Sequence, residues 1–146
     1  DQVKLAKHQI YVKALQFVGV EVVFGAFRYA DKTCRICHKQ YKTFEEKQTD
    51  VNIAIKLFQT AVQDLWDTAI IISGDSDLIP AIKAVKSTFP AKRMGLAIPI
   101  GRRAEELKQA VDFHMKLKEK HLATSQFEDE ITVDGGVKLT RPSTWK

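Results

Sequence analysis

A short acidic stretch, SGDSDL at residues 73–78, raises the first chemical question of this sequence. Its aspartates, Asp75 and Asp77, follow the apolar run 69–72, which is predicted to form a buried strand. Two carboxylates about 4 Å apart repel each other by about 4 kcal/mol at an effective dielectric constant of about 20. Such a pair needs a proton, a basic partner or a metal cation. The stretch therefore predicts a binding site at the carboxyl end of that strand.

A second acidic stretch, EEKQTDVNIA at residues 45–54, adds further carboxylates. Asp50 begins the helical row Asp50-Ala54-Leu57-Ala61, so we expect it at the edge of a buried helix face, with Glu46 one turn earlier on the same side. A charge in that position is unfavourable unless it is compensated. Oxygen ligands of this kind suit Mg²⁺ or Mn²⁺ better than zinc. The predicted metal ligands are Asp50, Asp75, Asp77 and Glu46.

Structural roles for the same acids stay open. Asp77 could cap the following helix, and Asp50 could interact with a helix N-terminus. A pair of aspartates after a strand also occurs in enzymes that act on phosphates and sugar nucleotides. The combination of Asp50 with Asp75 and Asp77, brought from two separate elements, favours a metal site.

Further residues could assist chemistry at this site. Ser73 could orient an acid through a hydrogen bond, and Lys47 could contact a phosphate. Arg102 and Arg103 follow a strand that ends near residue 98, so we expect them at the same sheet edge as the acids. The alternative is that these cations are solvated loop charges.

Strand-like and helix-like segments alternate along the chain, which predicts an α/β fold with a mainly parallel sheet. In such sheets, sites form at the carboxyl ends of the strands. The predicted helices cover residues 2–18, 45 or 46 to 64, a segment capped by Ser76 or Asp77, 104–110 and about 118–123. The predicted strands cover 20–27, 68–72, 94–98, a segment from 111, and a tail hairpin of 131–133 and 137–139, while 28–44 are predicted to be a polar loop.

Composition limits the class of protein. A chain of 146 residues is long enough for a hydrophobic core, and no apolar stretch approaches the roughly 20 residues that cross a bilayer. The net charge of +5 favours a polyanionic partner only weakly. The two cysteines and the absence of a signal pattern favour a reducing, cytoplasmic location.

Both cysteines belong to one motif, Cys34-x-x-Cys37 followed by His38, which is similar to half of a zinc knuckle. His38 is awkward as a third ligand, because adjacent residues rarely bind one tetrahedral ion. Three alternatives are reduced thiols in a polar loop, a reversible disulfide, and zinc shared between subunits. The sequence favours plain thiols over zinc.

Several segments together resemble the NYN domain family of PIN-like nucleases, in its bacterial LabA-like branch. FEEKQTDVNIAIKLFQTAV and DTAIIISGDSDLIPAIKAV carry the resemblance, and it extends to HQIYVKAL, VEVVFGAF, the C-x-x-C loop and AEELKQAVDFHMKL. The resemblance implies a Rossmann-like α/β/α sandwich whose acidic cluster binds Mg²⁺ or Mn²⁺ and cuts RNA. Asp50 matches the helical acid of the family, Asp75 and Asp77 match its acid pair, and Glu46 and Lys47 match its EEK element.

One family feature has no match in this sequence. The family's first strand normally ends in an aspartate within an IDG.N-like motif, and this sequence begins after that strand. We therefore expect an NYN/PIN-like domain over residues 1–124, incomplete at its N-terminus, followed by a tail over 125–146.

The predicted function is a Mg²⁺- or Mn²⁺-dependent endoribonuclease that acts on single-stranded or structured RNA, with no membrane association and with homodimer formation left open. Its catalytic residues would be Asp50, Asp75, Asp77 and Ser73, and Lys47, Arg102 and Arg103 would bind substrate. One alternative is a catalytically inactive NYN-fold module that binds RNA or serves as a scaffold. Another is a phosphatase or transferase that acts on a nucleotide.

Overall fold

The structure, a computed structural model, describes residues 2–145. Its helices are α1 (Gln2–Phe17), α2 (Thr49–Val62), α3 (Ile79–Thr88), α4 (Glu105–Ala110) and α5 (Glu119–Ala123). Its strands are β1 (Ala26–Thr33), β2 (Gln40–Lys47), β3 (Thr68–Ile72), β4 (Arg93–Ile98), β5 (Phe113–Lys116), β6 (Glu130–Val133) and β7 (Val137–Thr140). Two 3₁₀ turns, Ser76–Leu78 and Asp134–Gly136, complete the elements.

The described residues form two compact units. One contains residues 24–119, and the other contains the residues up to Val23 together with those from Lys120 onward. The predicted domain boundary between residues 124 and 125 stays a prediction.

The centre of the first unit is a parallel sheet in the order β3-β4-β5. Its hydrophobic core gathers around β4, where Met94, Leu96 and Ile98 are almost completely buried. Side chains from α3 and α4, including Ile82, Val85 and Leu107, pack into the same core. The predicted α/β class with a parallel sheet is therefore confirmed.

Strand β3 is less buried than its sequence predicts. The continuous apolar run indicates burial on both faces, but Ile70 and Ile72 are 57% and 66% exposed, and Ile71 alone is buried within the strand. The side chains of Ile70 and Ile72 are exposed because, within residues 2–145, β3 pairs only with β4 and is an edge strand of the sheet.

The region before α2 is a hairpin, which corrects two predictions. Within the predicted strand 20–27, only Ala26 and Phe27 are in a strand, and most of the predicted polar loop 28–44 is strand too. The reason is that β1 pairs with β2 in antiparallel register from Ala26↔Lys47 to Thr33↔Gln40. A strand is stable only when it is hydrogen-bonded to another strand. Here β1 and β2 are each other's partner, although both are polar. Tyr29 and Phe44 stack across this hairpin with ring centroids 4.4 Å apart.

Because of this hairpin, α2 begins later than the predicted residue 45 or 46. Residues 45 and 46 lie in β2, and Gln48, with φ of 79°, separates that strand from the helix, which begins at Thr49. The apolar spacing of this helix predicts an inward stripe of Val51, Ile55, Phe58, Val62 and Leu65. Of these side chains only Phe58 packs against the core, and the other four are about 60% exposed or more. The packed face is the row that ends in Leu57 and Ala61.

The Glu45 carboxylate holds the hairpin and should make stability depend on pH. It accepts hydrogen bonds from Lys32 at 2.7 Å and Lys47 at 3.0 Å, which lower the pKa of Glu45 to about 2. A lowered folded-state pKa stabilises the fold above the ordinary value of 4.5, and this contribution is lost as pH falls towards 2. Glu45→Gln should therefore be less stable than the wild type at pH 7, and the gap should close between about pH 4.5 and 2. Urea midpoints measured across this range test it, and a gap that stays constant with pH would contradict it.

The second unit packs α1 against the hairpin β6–β7, and this hairpin confirms the predicted one in the tail. Tyr11 lies edge-to-face with Phe127 and Trp145, at centroid distances of 6.4 and 6.0 Å. None of the helices described in residues 2–145 is long and apolar enough to cross a membrane.

Candidate active site

The parallel sheet places two loops at one edge. Strands β3 and β4 run in parallel with Ile72 opposite Ala97, so the segments 73–78 and 99–104 leave the sheet at the same carboxyl edge. They touch at Gly74, where an added Cβ would lie 3.1 Å from the Cβ of Arg102. The absence of a side chain at Gly74 therefore lets Arg102 pack against the acidic loop. The arginine pair lies at the expected edge.

Hydrogen bonds shape the acidic loop. The backbone N–H of Asp75 donates to the hydroxyl of Ser73 at 3.0 Å, and Oδ1 of Asp75 accepts from the backbone N–H of Asp77 at 3.0 Å. Both carboxylates are exposed. Asp75, rather than Ser76 or Asp77, is thus the capping residue, and it caps the 3₁₀ turn. The Ser73 hydroxyl contacts a backbone N–H rather than a carboxylate, so it orders the loop that carries the acids.

A buried side chain anchors this loop to the core. Leu78 ends the 3₁₀ turn and is 1% exposed, and α3 begins immediately after it with Pro80 in its first turn. The acid pair therefore lies between a strand end and a buried leucine. Its backbone is restrained on both sides.

Asp50 lies in the first turn of α2, where its negative charge interacts favourably with the helix N-terminus. Its side chain is exposed, although the row that it begins, through Leu57 and Ala61, is the packed face of the helix. Helix α2 contacts the 3₁₀ turn that contains Asp77. The two elements predicted to bring the acids together are therefore neighbours.

Glu46 and Lys47 do not take the predicted positions. They end β2 instead of preceding Asp50 by one helical turn, because the residues before α2 pair with β1. The Glu46 carboxylate accepts a hydrogen bond from the hydroxyl of Thr49, at the corner between β2 and α2. The ammonium of Lys47 pairs with Glu45 at 3.0 Å.

Sequence reasoning missed two acids beside Arg103. A small cavity of about 190 Å³ is lined by the acidic loop, through Gly74 and Ser76, and by the segment Arg103–Leu107. Glu105 and Glu106 contribute to its wall. Lys108, and more weakly Arg103, hold the pKa of Glu105 below its ordinary value. The signal in the sequence is RRAEE, which places cations and acids together directly after a strand end.

Asp112 has a structural role at the amino end of β4, at the side of the sheet opposite the acidic loop. Its carboxylate accepts hydrogen bonds from the backbone N–H of Met94 at 2.7 Å and from Lys86 at 2.5 Å. Both bonds lower the pKa of Asp112, with that to Lys86 contributing more. Met94 lies near the amino end of β4, so this acid connects α3 to the edge opposite the acidic loop.

Asp112→Ala should therefore reduce stability without altering chemistry at the acidic loop. Loss of the carboxylate leaves the N–H of Met94 without its acceptor, which costs about 1–3 kcal/mol of unfolding free energy. Asp112→Asn keeps an acceptor oxygen and should lose less. Urea unfolding measures both changes, and a loss of activity in folded Asp112→Ala would contradict the structural role.

The acid pair fits a hydrated divalent cation. Within residues 2–145, no group of three or more histidine, cysteine, aspartate or glutamate side chains has the geometry of a metal site, so Asp50, Asp75, Asp77 and Glu46 do not form such a group in this structure. Mg²⁺ commonly keeps several waters and uses only one or two protein carboxylates. Exposed carboxylates on one restrained loop, at Asp75 and Asp77, match that requirement.

Open α/β sheets bind their ligands outside the carboxyl ends of the strands, which is where this chain has its acid pair and its arginines. The sequence profile of the NYN domain matches residues 8–118, which is most of the chain. The protein therefore belongs to the NYN domain family of PIN-like nucleases, which confirms the resemblance at the level of the family, while the LabA-like branch stays a prediction.

Two further similarities are more limited. The chain is 33% identical over 70 residues to 6-hydroxy-3-succinoylpyridine 3-monooxygenase HspA from Pseudomonas putida, a match that covers 47% of this chain and 22% of that protein. The crystal structure of VPA0982, a protein of unknown function from Vibrio parahaemolyticus, superimposes with a TM-score of 0.57 at 17% identity. That match covers 77% of this chain and 62% of the Vibrio protein, and it supports the fold alone.

Proposed function

We propose that this protein is a ribonuclease that depends on Mg²⁺ or Mn²⁺. The observation that carries the proposal is the acidic loop, in which Asp75 and Asp77 lie at the carboxyl edge of the sheet with Arg102 packed against Gly74. Membership of the NYN domain family supports the same class of reaction. Asp50 is proposed as the third acid because it matches the helical acid of the NYN family, and its helix α2 contacts the turn that contains Asp77.

The roles of the residues follow from their charge and position. A bound divalent cation would neutralise charge on a phosphodiester and supply an activated water. Asp75 and Asp77 would hold that cation, and Asp50 would act through its waters. The Ser73 hydroxyl would keep the Asp75 backbone in place.

The cations would bind the RNA backbone. Arg102 lies against the acidic loop and Arg103 lines the cavity beside it, so a phosphate near the acids could pair with a guanidinium. Lys47 is the weaker candidate, because its ammonium already pairs with Glu45. Glu46 is likewise engaged by Thr49, so we place it at the rim of the site rather than at the cation.

The test is cleavage of a labelled single-stranded RNA while Mg²⁺ or Mn²⁺ is titrated. We expect cleavage that rises with the cation and stops with EDTA. Binding without cleavage, unaffected by EDTA, would instead indicate an inactive RNA-binding module. Turnover of small phosphate esters without cleavage of oligonucleotides would indicate a phosphatase.

The monooxygenase activity in the name of the Pseudomonas protein does not enter this proposal. The match covers 22% of that protein, so most of its length has no counterpart in the alignment. The shared part is consistent with a common domain rather than a common reaction.

A further inference from the structure

The tip of the hairpin β1–β2 carries both cysteines on a well-defined turn. After the last strand pair, Thr33↔Gln40, the backbone N–H of Cys34 donates to the carbonyl of Lys39 at 2.9 Å. The N–H of His38 donates to the carbonyl of Cys34 at 2.9 Å, and His38 adopts a left-handed φ of 55°. These bonds fix the backbone that presents Cys34 and Cys37.

The two thiols of this turn lie close to each other. The backbone N–H groups of Cys37 and Ile36 donate to the sulfur of Cys34, and the Cys37 thiol is within hydrogen-bonding distance as well. Backbone N–H donors aimed at a cysteine sulfur are compatible with that sulfur binding a metal ion. Both cysteines are free, and Cys37 is exposed. The polar loop expected from the sequence is thus an ordered turn with two converging sulfurs.

One chain supplies half of a tetrahedral zinc site. A structural zinc takes four ligands, and the described residues contain no cluster of three or more potential ligands around these thiols. His38 follows Cys37 directly, and its backbone N–H is bonded to the carbonyl of Cys34. A zinc ion bound by Cys34 and Cys37 would therefore take its other two ligands from another molecule.

A second copy of the chain fits the remaining half. Ile36 lies between the cysteines and is 92% exposed, so two tips that meet would cover this apolar side chain on each copy. Four thiolates around Zn²⁺ leave a net negative charge, and Arg35, His38 and Lys39 place compensating basic groups on each turn. The same turn on two copies would make a self-complementary contact about a twofold axis.

We propose that Cys34 and Cys37 form half of a zinc site that the same two cysteines of a second copy complete, joining two chains tip to tip. The proposal goes beyond the ribonuclease function and does not depend on it. Zinc here holds two chains together and takes no part in the chemistry at the acidic loop.

Cobalt is a direct probe of this site. Reduced, metal-free protein titrated with Co²⁺ under anaerobic conditions should develop thiolate-to-cobalt absorption that saturates at one Co²⁺ per two chains and is displaced by Zn²⁺. Carboxylates at Asp75 and Asp77 cannot produce that absorption band. Light scattering should show the mass doubling from 16.6 kDa when Zn²⁺ is added and returning with a chelator.

Matched variants make the outcome decisive. Cys34→Ser and Cys37→Ser should each abolish the cobalt band and the dimer, with circular dichroism confirming that the fold is kept. His38→Asn, which tolerates the left-handed backbone, should retain both. Saturation at one ion per monomeric chain would overturn the shared site. Absence of thiolate-dependent binding in fully reduced protein would overturn zinc altogether.

Discussion

Asp75→Asn should reduce cation-dependent RNA cleavage by about 100-fold or more. The substitution removes one negative charge from the carboxylate that the proposal places at the cation. It keeps an Oδ1 atom that can still accept the hydrogen bond from the N–H of Asp77, so the 3₁₀ turn should survive. Stability and circular dichroism should therefore stay near the wild type, and initial cleavage rates over a range of Mn²⁺ concentrations measure the loss.

Asp67→Asn is a matched control for this experiment. Asp67 is an exposed aspartate directly before β3, at the amino end of the strand whose carboxyl end carries Asp75. The same change of charge there should leave cleavage within about twofold, because a screened charge acts over about 10 Å at ordinary salt concentrations. Equal loss in both variants would indicate an effect of net charge and would remove Asp75 from the catalytic site.

The positions of the acid pair and arginines were predictable because they depend on topology alone. An apolar run followed by SGDSD identifies a strand end, and the parallel alternation of elements puts the next strand end, before Arg102, at the same edge. The strand end and the shared edge both follow from the spacing of the apolar residues and from the right-handed connection between parallel strands. The contact between Arg102 and Gly74 confirms them.

The positions of Glu46 and Lys47 were not predictable in the same way. The composition of the segment EEKQTDVNIA predicts one helix. Its first three residues, 45–47, instead belong to β2 and pair with β1. The hydrogen bonds of a strand come from a partner strand elsewhere in the chain, so the secondary-structure propensity of a segment does not predict them. The strand predicted over 20–27 is wrong up to residue 25 for the converse reason. Its β-branched residues have a high strand propensity, but β2 pairs with the segment that begins at Ala26.

Burial was also harder to predict than element type. The apolar residues Val51, Ile55 and Val62 have helical spacing, yet the helix packs through the smaller Ala61 and its neighbours. Leu57 and Phe58 pack beside Ala61, and α2 contacts α3, so the buried face depends on where the neighbouring helix lies. Asp50 shows the consequence for the site: its row was identified correctly, but the exposure of its carboxylate depends on neighbours that one sequence does not specify.

Leu78→Ala should lower the free energy of unfolding by about 2–5 kcal/mol. Leu78 is 1% exposed and packs in the core that α3 and β4 share, so truncation removes buried apolar area and leaves a cavity. Urea unfolding followed by circular dichroism measures the change. Leu65→Ala is the matched control, because the same truncation at a side chain that is 66% exposed should change stability by about 0.5 kcal/mol or less.

The same variant tests whether the core anchors the acidic loop. Leu78 ends the 3₁₀ turn in which the N–H of Asp77 donates to Asp75, so a cavity beneath it should let that hydrogen bond open more often. Amide exchange at Asp77 should then accelerate by a larger factor in Leu78→Ala than in Leu65→Ala, under conditions where both variants are folded. If exchange at Asp77 stays at the wild-type rate while global stability falls, the loop is held by its own hydrogen bonds, and the anchoring role assigned to Leu78 is wrong.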